Sequence, residues 1–378
     1  MSYFEVFNFS SLRACYPLIK SFKSAITIFN NKNYLISLLL FISINSTAQN
    51  QYYTTCVAFY NLENLFDCEN DPFTFDDDFT PKGSKNWTVK RYTNKIKKIS
   101  KTLAALKGYS KTPAVLIGLC EVENKTVIED LLQTKALSAF DYGIAHKNSP
   151  DKRGIDVALI YDRSVFDIAH EQTHRLLLFD NDQKRIFTRD QLCVTGYLGE
   201  ELIAIIVNHW PSRRGGKTKS APNRIKAAQC TKKIIDSLHH THNKNLKIIV
   251  MGDFNDNPTD QSLKKILQTK GKKVPSKNGY YLFNPMEKMA SKGLGSLAYR
   301  DKWYVFDQML FSNSFIETNY KGFKLYQTHI YHPKHLQFQE QMYQGYPWST
   351  YKRGRYFNGY SDHFPIYSIL IKEVSNTD

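Results

Sequence analysis

The chain has 378 residues, 42% hydrophobic and 14% aromatic, which supplies a sizeable core and argues against a low-complexity or disordered chain. Its 51 lysines and arginines against 35 aspartates and glutamates give a net charge of +16, which favours a polyanionic partner such as nucleic acid or an anionic membrane surface. Six scattered cysteines with no Cys-x-x-Cys pair argue against a disulfide framework and against a thiolate zinc site.

Residues 1–48 read as an N-terminal extension that ends in a signal peptide. Lys32 precedes the apolar run YLISLLLFISI at Tyr34–Ile44, which is too short to span a bilayer, and Ser46-Thr47-Ala48 is a small-residue cleavage pattern with the cut after Ala48. The mixed segment 1–30 is unusual ahead of such a leader, and a translation start further downstream would account for it. The alternative is a membrane anchor or a buried helix. Cleavage would remove Arg13, Lys20, Lys23 and Lys32 with Glu5, taking the net charge from +16 to +13, and would leave five cysteines. Residues 49–378 contain no linker, internal repeat or low-complexity tract. They are expected to form one exported, monomeric domain without a stable membrane span.

In chain order, Val57–Tyr60 is an apolar strand leading into Asn61, Leu62 and Glu63. The acidic loop DCENDPFTFDDDF follows; it offers oxygen ligands to a hard cation such as calcium, but its spacing matches no calcium loop, and a solvated loop is the plainer reading. Tyr92–Leu106 has a helical period, with Ile96, Ile99, Leu103 and Leu106 on one stripe and Lys95, Lys97, Lys98 and Lys101 largely off it. Val115–Cys120 is a second buried strand and delivers Glu121, with Glu123 close behind. Arg153 lies in a charged cluster before the strand VALIYD and suits either a bidentate phosphate clamp or an ordinary loop. Leu202–Val207 ends in Asn208 and His209, after which Arg213, Arg214 and Lys217 sit in a Gly-containing loop suited to an anion. Ile225–Leu238 reads as a helix with Ala228, Ile234, Ile235 and Leu238 apolar, and residues 269–300 as polar loops.

The most informative stretch is KIIVMGDFNDNP, Lys247–Pro258. A four-residue apolar strand is closed by Gly252, and Asp253 and Asn255 at alternate positions can project to one side while Phe254 turns into the core. A carboxylate can take a proton from water, and a neighbouring amide can donate to an oxygen gaining charge; an Asx turn would use the same residues. Asp307 lies inside the strand-like YVFDQMLF, and Ser361, Asp362 and His363 precede the apolar FPIYSILI. One of the two carboxylates can orient the imidazole while the other faces metal or water.

The ordered set N-x-E, E, NHW, GDFN, FDQM and SDH over residues 52–372 resembles the endonuclease/exonuclease/phosphatase superfamily. The resemblance implies a four-layer α/β sandwich, two mixed β-sheets packed face to face with helices on both outer sides. It also implies Mg²⁺ or Mn²⁺ held by Glu121 with Glu63, Asp362 and Asn61, and catalysis by His209, Asp253, Asn255, Asp307 and His363, with Asp307 paired to His363. Arg153, Arg213 and Arg214 are candidates for substrate phosphate. The deoxyribonuclease and sphingomyelinase branches of that superfamily carry His where His209 stands, whereas the abasic-site branch carries Tyr; that branch also has Asp where this chain has Glu63. The function expected is a secreted metal-dependent nuclease acting by in-line attack of water. A sphingomyelinase-like or other small phosphate-ester hydrolase is the alternative, and a non-catalytic nucleic-acid-binding protein is a third reading.

Overall fold

The computed structural model describes residues 5–7, 51–242, 244–274, 280–317 and 320–374. The apolar runs become central strands of two mixed sheets, because runs this short and continuous are covered on both faces. The chain first lays down β1 (Tyr52–Leu65), β2 (Leu116–Val122), β3 (Tyr142–His146) and β4 (Asp156–Asp162). The second sheet follows with β5 (Phe166–His174), β6 (Gln191–Leu198), β7 (Glu201–His209), β8 (Lys247–Asp253), β9 (Leu282–Phe283) and β10 (Asp307–Ser312). The chain then returns to the first sheet with β11 (Lys324–Ile330) and β12 (Ile366–Glu373). Spatial order is β11-β12-β1-β2-β4-β3 in the first sheet and β9-β10-β8-β7-β6-β5 in the second. A short strand, Glu5–Phe7, adds antiparallel to the start of β1. The rest of the expected leader, including the Tyr34–Ile44 run and the cleavage pattern, lies outside the described residues.

Each sheet contains one parallel pair, β1 with β2 and β7 with β8, among antiparallel neighbours. These four strands end in the segments that carry Asn61, Glu121, His209 and Asp253. Between the sheets pack Val57, Phe59, Leu116, Ile205, Met251 and Met309, all fully buried. Their approach is close: a Cβ at Gly118 would fall 2.5 Å from the sulfur of Met251. Each large aliphatic side chain so buried contributes about 1.5–3 kcal/mol.

The outer faces are covered by helices. On the first sheet lie α1 (Val89–Ala105), capped by the Thr88 hydroxyl, and α2 (Lys125–Leu132), capped by Asn124; they bury Ile96, Ile99, Leu103, Val127, Ile128 and Leu131. On the second sheet α3 (Lys217–Thr241) buries Ala228, Ile234 and Ile235 as its period predicts, with Leu238 partly buried. The result is the four-layer α/β sandwich expected. Two local expectations fail. Lys95 is not on the solvent face of α1 but buried, and residues 269–300 are not all loop, since Leu282–Phe283 joins β10 as an edge strand and Met286–Ser291 forms a short helix, α4.

Candidate active site

The strand register brings the titratable groups together. His209, the last residue of β7, is the cross-strand neighbour of Asp253 in β8, and Asp253 is in turn the neighbour of Asp307 in β10. Three distant segments therefore deliver their side chains to one end of one sheet, all three buried. Gly252 makes the close approach possible, because a Cβ there would lie 2.3 Å from the carbonyl oxygen of Asn208. From the other sheet, Asn61 donates its amide Nδ2 to Asp253 Oδ2 at 3.1 Å, which ties the two sheets at the site. Asp253 Oδ1 accepts the backbone N–H of Asn255 at 2.9 Å. Asn255 adopts a left-handed backbone, φ 50°, and turns its amide onto the Trp210 carbonyl, while Phe254 is buried edge-on to the Trp210 ring. The Asx turn and the functional placement thus coexist at GDFN.

His363 approaches from the segment before β12. Its Nδ1 lies 2.7 Å from Asp307 Oδ2, which also accepts the Ser296 hydroxyl at 2.5 Å. Its Nε2 lies 3.9 Å from Asp253 Oδ2, and the Nε2 of His209 lies 3.8 Å from the same oxygen and 3.6 Å from Glu121 Oε1. The two imidazoles flank one carboxylate and differ in charge. Burial would depress His363, but Asp307, Asp362 and Asp253 outweigh it and hold the imidazolium well above the usual histidine range. For His209, burial and the cations Arg189, Arg153 and His363 act together and keep the ring neutral. Burial lifts the Asp253 carboxyl to about 7, opposed by His363 and reinforced by Asp307 and Glu121. Such divergent environments suit groups with separate acid and base tasks.

The donor set fits a divalent cation. Asp253, Asp307 and His363 each offer a ligand atom within 4.8 Å of the others, but the short Asp307–His363 contact already occupies two of these. Glu121, on a bulge with φ 59°, and the half-exposed Asp362 supply further oxygens close enough for each to feel the other's charge. Asp307 Oδ1 and His209 Nδ1 are buried without a protein partner. Crowded carboxylates around partnerless polar atoms are the environment that a hard cation relieves.

Other expected site residues take different places. Glu63 was expected to bind metal, but its carboxylate accepts the backbone N–H groups of Thr350 and Tyr351 at 2.6 and 3.0 Å and faces the buried ammonium of Lys95 at 3.9 Å. Arg213 was expected to meet substrate phosphate, but it is held by Asp256, Asp260 and the carbonyl of Asn255. Arg214 is exposed on the same loop, and Arg153 is half-exposed with its charge reaching His209. The sequence did not single out Arg189, Arg224 or Ser296, and it placed Lys95 only among the lysines off the apolar stripe of α1. Arg189 bridges Asp151 and the Trp210 carbonyl, and Arg224 is fully buried against Asp256. No periodicity or motif marks a buried cation whose partner comes from a distant loop.

A sequence profile for the Endonuclease/Exonuclease/phosphatase family matches residues 56–372. No curated protein sequence matches the chain. Among solved structures, a humanized TDP2 from D. rerio is 12% identical with a TM-score of 0.50, covering 84% of this chain and 98% of its own. TDP2 from Caenorhabditis elegans is 13% identical with a TM-score of 0.50, covering 84% and 74%. A mannosyl-6-phosphatase from Bacteroides thetaiotaomicron is 16% identical with a TM-score of 0.48, covering 85% and 100%. At these identities the likeness is one of fold, whereas the profile covers all but the outermost residues of the sandwich and every residue brought together at its end. The chain belongs to the endonuclease/exonuclease/phosphatase family of metal-dependent phosphoesterases.

Proposed function

We propose that the protein is an exported nuclease that hydrolyses DNA or RNA phosphodiester bonds with Mg²⁺ or Mn²⁺. The observation that carries the catalytic part is the single carboxylate of Asp253, flanked by the imidazoles of His209 and His363 at 3.8 and 3.9 Å and fixed by Asn61 and the Asn255 N–H. Ionised, Asp253 orients a water and takes its proton as the water attacks phosphorus in line with the leaving oxygen. His363, held protonated by Asp307, donates to the phosphoryl oxygens as charge builds on them. Neutral His209 offers a hydrogen bond to the charge that builds at the phosphate, and the leaving oxygen departs as an alkoxide that takes its proton from solvent. Glu121 and Asp362 would hold the divalent cation, which supplies Lewis-acid charge at the scissile phosphate. Arg153 lies within electrostatic reach of the same pocket and could meet a phosphate oxygen.

The net charge of +13 after leader removal supports a polyanionic substrate. Export is supported by the Tyr34–Ala48 pattern and is read out by N-terminal sequencing of the mature protein, with Gln49 expected first. No helix among the described residues is long and apolar enough to cross a membrane. The deciding experiment offers residues 49–378 with Mg²⁺ or Mn²⁺ plasmid DNA, RNA, sphingomyelin and small phosphomonoesters in parallel. Cleavage of nucleic acid is expected; turnover of the lipid or a monoester alone would overturn the nuclease reading.

A further inference from the structure

Two groups of cations differ in what holds them. Around the loop after β7, Arg213 and Lys217 pair with Asp260 and Arg213 and Arg224 with Asp256, while Arg214 is exposed. A second group, Lys85, Arg91, Lys98, Lys352, Arg353 and Arg355, has no carboxylate among the described residues within 4.0 Å. Five of the six are seated instead on aromatic rings. The Arg91 guanidinium lies 4.1 Å from the Tyr356 ring, Lys98 4.8 Å from Trp348, Lys352 4.8 Å from Tyr343, Lys85 5.6 Å from Tyr351, and Arg355 5.1 Å from Phe357. A ring face steadies a cation without neutralising it, so the charge stays available to an anion.

These residues lie on one wall. Three come from the face of α1 and the turn before it, and three from the small hairpin Tyr351–Lys352 and Arg355–Tyr356. The hairpin is fastened to the catalytic end of β1 through the Glu63 contacts to Thr350 and Tyr351, and Lys95 adds a bond from its ammonium to Thr350 Oγ1. Its chain continues in a few residues to Asp362 and His363, and the Lys352 ammonium feels Asp362 and Glu63. At the hairpin tip Arg353 and Gly354 both have positive φ, 50° and 78°. This is the two-residue primed turn, in which Asn or Asp is the usual first residue. An arginine there costs backbone energy that its charge, not its conformation, can repay.

We propose that this wall is the track for the non-scissile phosphates of a single nucleic-acid strand, led from the hairpin to the catalytic carboxylates. Because its rings are covered by cations, the track reads backbone charge and not bases, and it is indifferent to sequence. The inference rests on the nuclease reading and adds to it where the strand lies.

The test measures binding of a fluorescent 20-nucleotide single-stranded DNA against salt, and the ratio of DNA cleavage to bis-nitrophenyl phosphate hydrolysis, for wild type, Arg353→Gln/Arg355→Gln and, on the exposed side of α3, Lys226→Gln. Abolishing one ion pair with a phosphate lowers the slope of log affinity against log salt by about 0.7. The hairpin double variant is expected to flatten the slope by about 1.4, twice that amount, and to lower the cleavage ratio at least tenfold at moderate salt, with Lys226→Gln near wild type. An unchanged slope and ratio in the double variant, with wild type still binding and cutting DNA, would overturn the track alone. Wild type that neither binds nor cuts DNA would overturn the nuclease reading with it. Loss of binding to phosphatidylserine vesicles in place of DNA would assign the wall to a membrane surface and overturn the proposal.

Discussion

Glu63 Oε1 accepts the backbone N–H of Tyr351 at 3.0 Å, so a residue two positions beyond Asn61 fixes the position of a loop 288 residues further along the chain. The other oxygen accepts the N–H of Thr350, and the Lys95 ammonium donates to the Glu63 carbonyl at 2.7 Å and to the Thr350 hydroxyl at 2.6 Å. Glu63→Ala would strand two buried N–H groups and a buried ammonium. Breaking a buried pair on one side costs about 3–5 kcal/mol, and a loss of that order in urea denaturation is expected. Glu63→Gln combined with Lys95→Met should lose less than Glu63→Ala, since no unpaired charge remains. An Ala variant as stable as wild type would show that the latch holds nothing.

Asp253→Asn keeps the size of the side chain and removes the base. A positioned general base contributes about 100-fold or more, and a fall of at least that size in kcat on a small diester is expected, with folding unchanged by circular dichroism. Wild-type turnover would reduce GDFN to a turn.

Asp307 acts through His363. With Asp307→Asn the imidazolium loses its 2.7 Å partner and its pKa falls, so the basic limb of the pH–rate profile should move to lower pH. Proton NMR titration of the His363 ring reads the same shift directly. A lower rate with an unmoved limb would make Asp307 a packing residue only.

The strands that carry the site and the helices α1 and α3 were legible in the sequence, because short apolar runs and a helical period mark them; α2 and the strands β3, β5, β6 and β11 were not, and the meeting of His209, Asp253, Asp307 and His363 followed from the family resemblance. Partner choice was not legible. Glu63 and Arg213 carry the residue types of a ligand and a phosphate clamp, yet Glu63 meets the N–H groups of a loop 287 and 288 residues away and Arg213 meets carboxylates 43 and 47 residues away. Lys95 shows the same limit on α1, where period placed it towards solvent and only the Glu63 and Thr350 contacts explain its burial.

Metal dependence has a pH signature. The Asp253 carboxyl titrates near 7 in the folded protein, above its usual value near 4, so the folded state binds a proton that the unfolded chain releases at lower pH. Its contribution to stability is full below about 4 and is lost as pH rises through about 7. A bound cation offsets that loss by favouring the carboxylate. The rise in Tm on adding Mn²⁺ is therefore expected to be larger at pH 7.5 than at pH 5, and excess EDTA should abolish hydrolysis. Equal shifts at both pH values would place the cation away from Asp253, and full activity in EDTA would overturn metal dependence.

Arg213 and Arg214 are adjacent but should behave differently. Arg213 ties the Asn255 carbonyl to Asp256 and Asp260 and lies 4.5 Å from the Phe306 ring, one residue before Asp307. Arg213→Gln leaves two largely buried carboxylates short of a partner, which costs about 1–3 kcal/mol, and loosens the turn that aims Asp253. A lower Tm and a loss on small diester and DNA alike are expected. Arg214→Gln should change neither Tm nor small-diester turnover, because the side chain is exposed on the outer part of the loop. Thermal melts and the two assays on the separate variants decide it: an Arg213→Gln protein that melts like wild type and loses only DNA binding would return this loop to the substrate track.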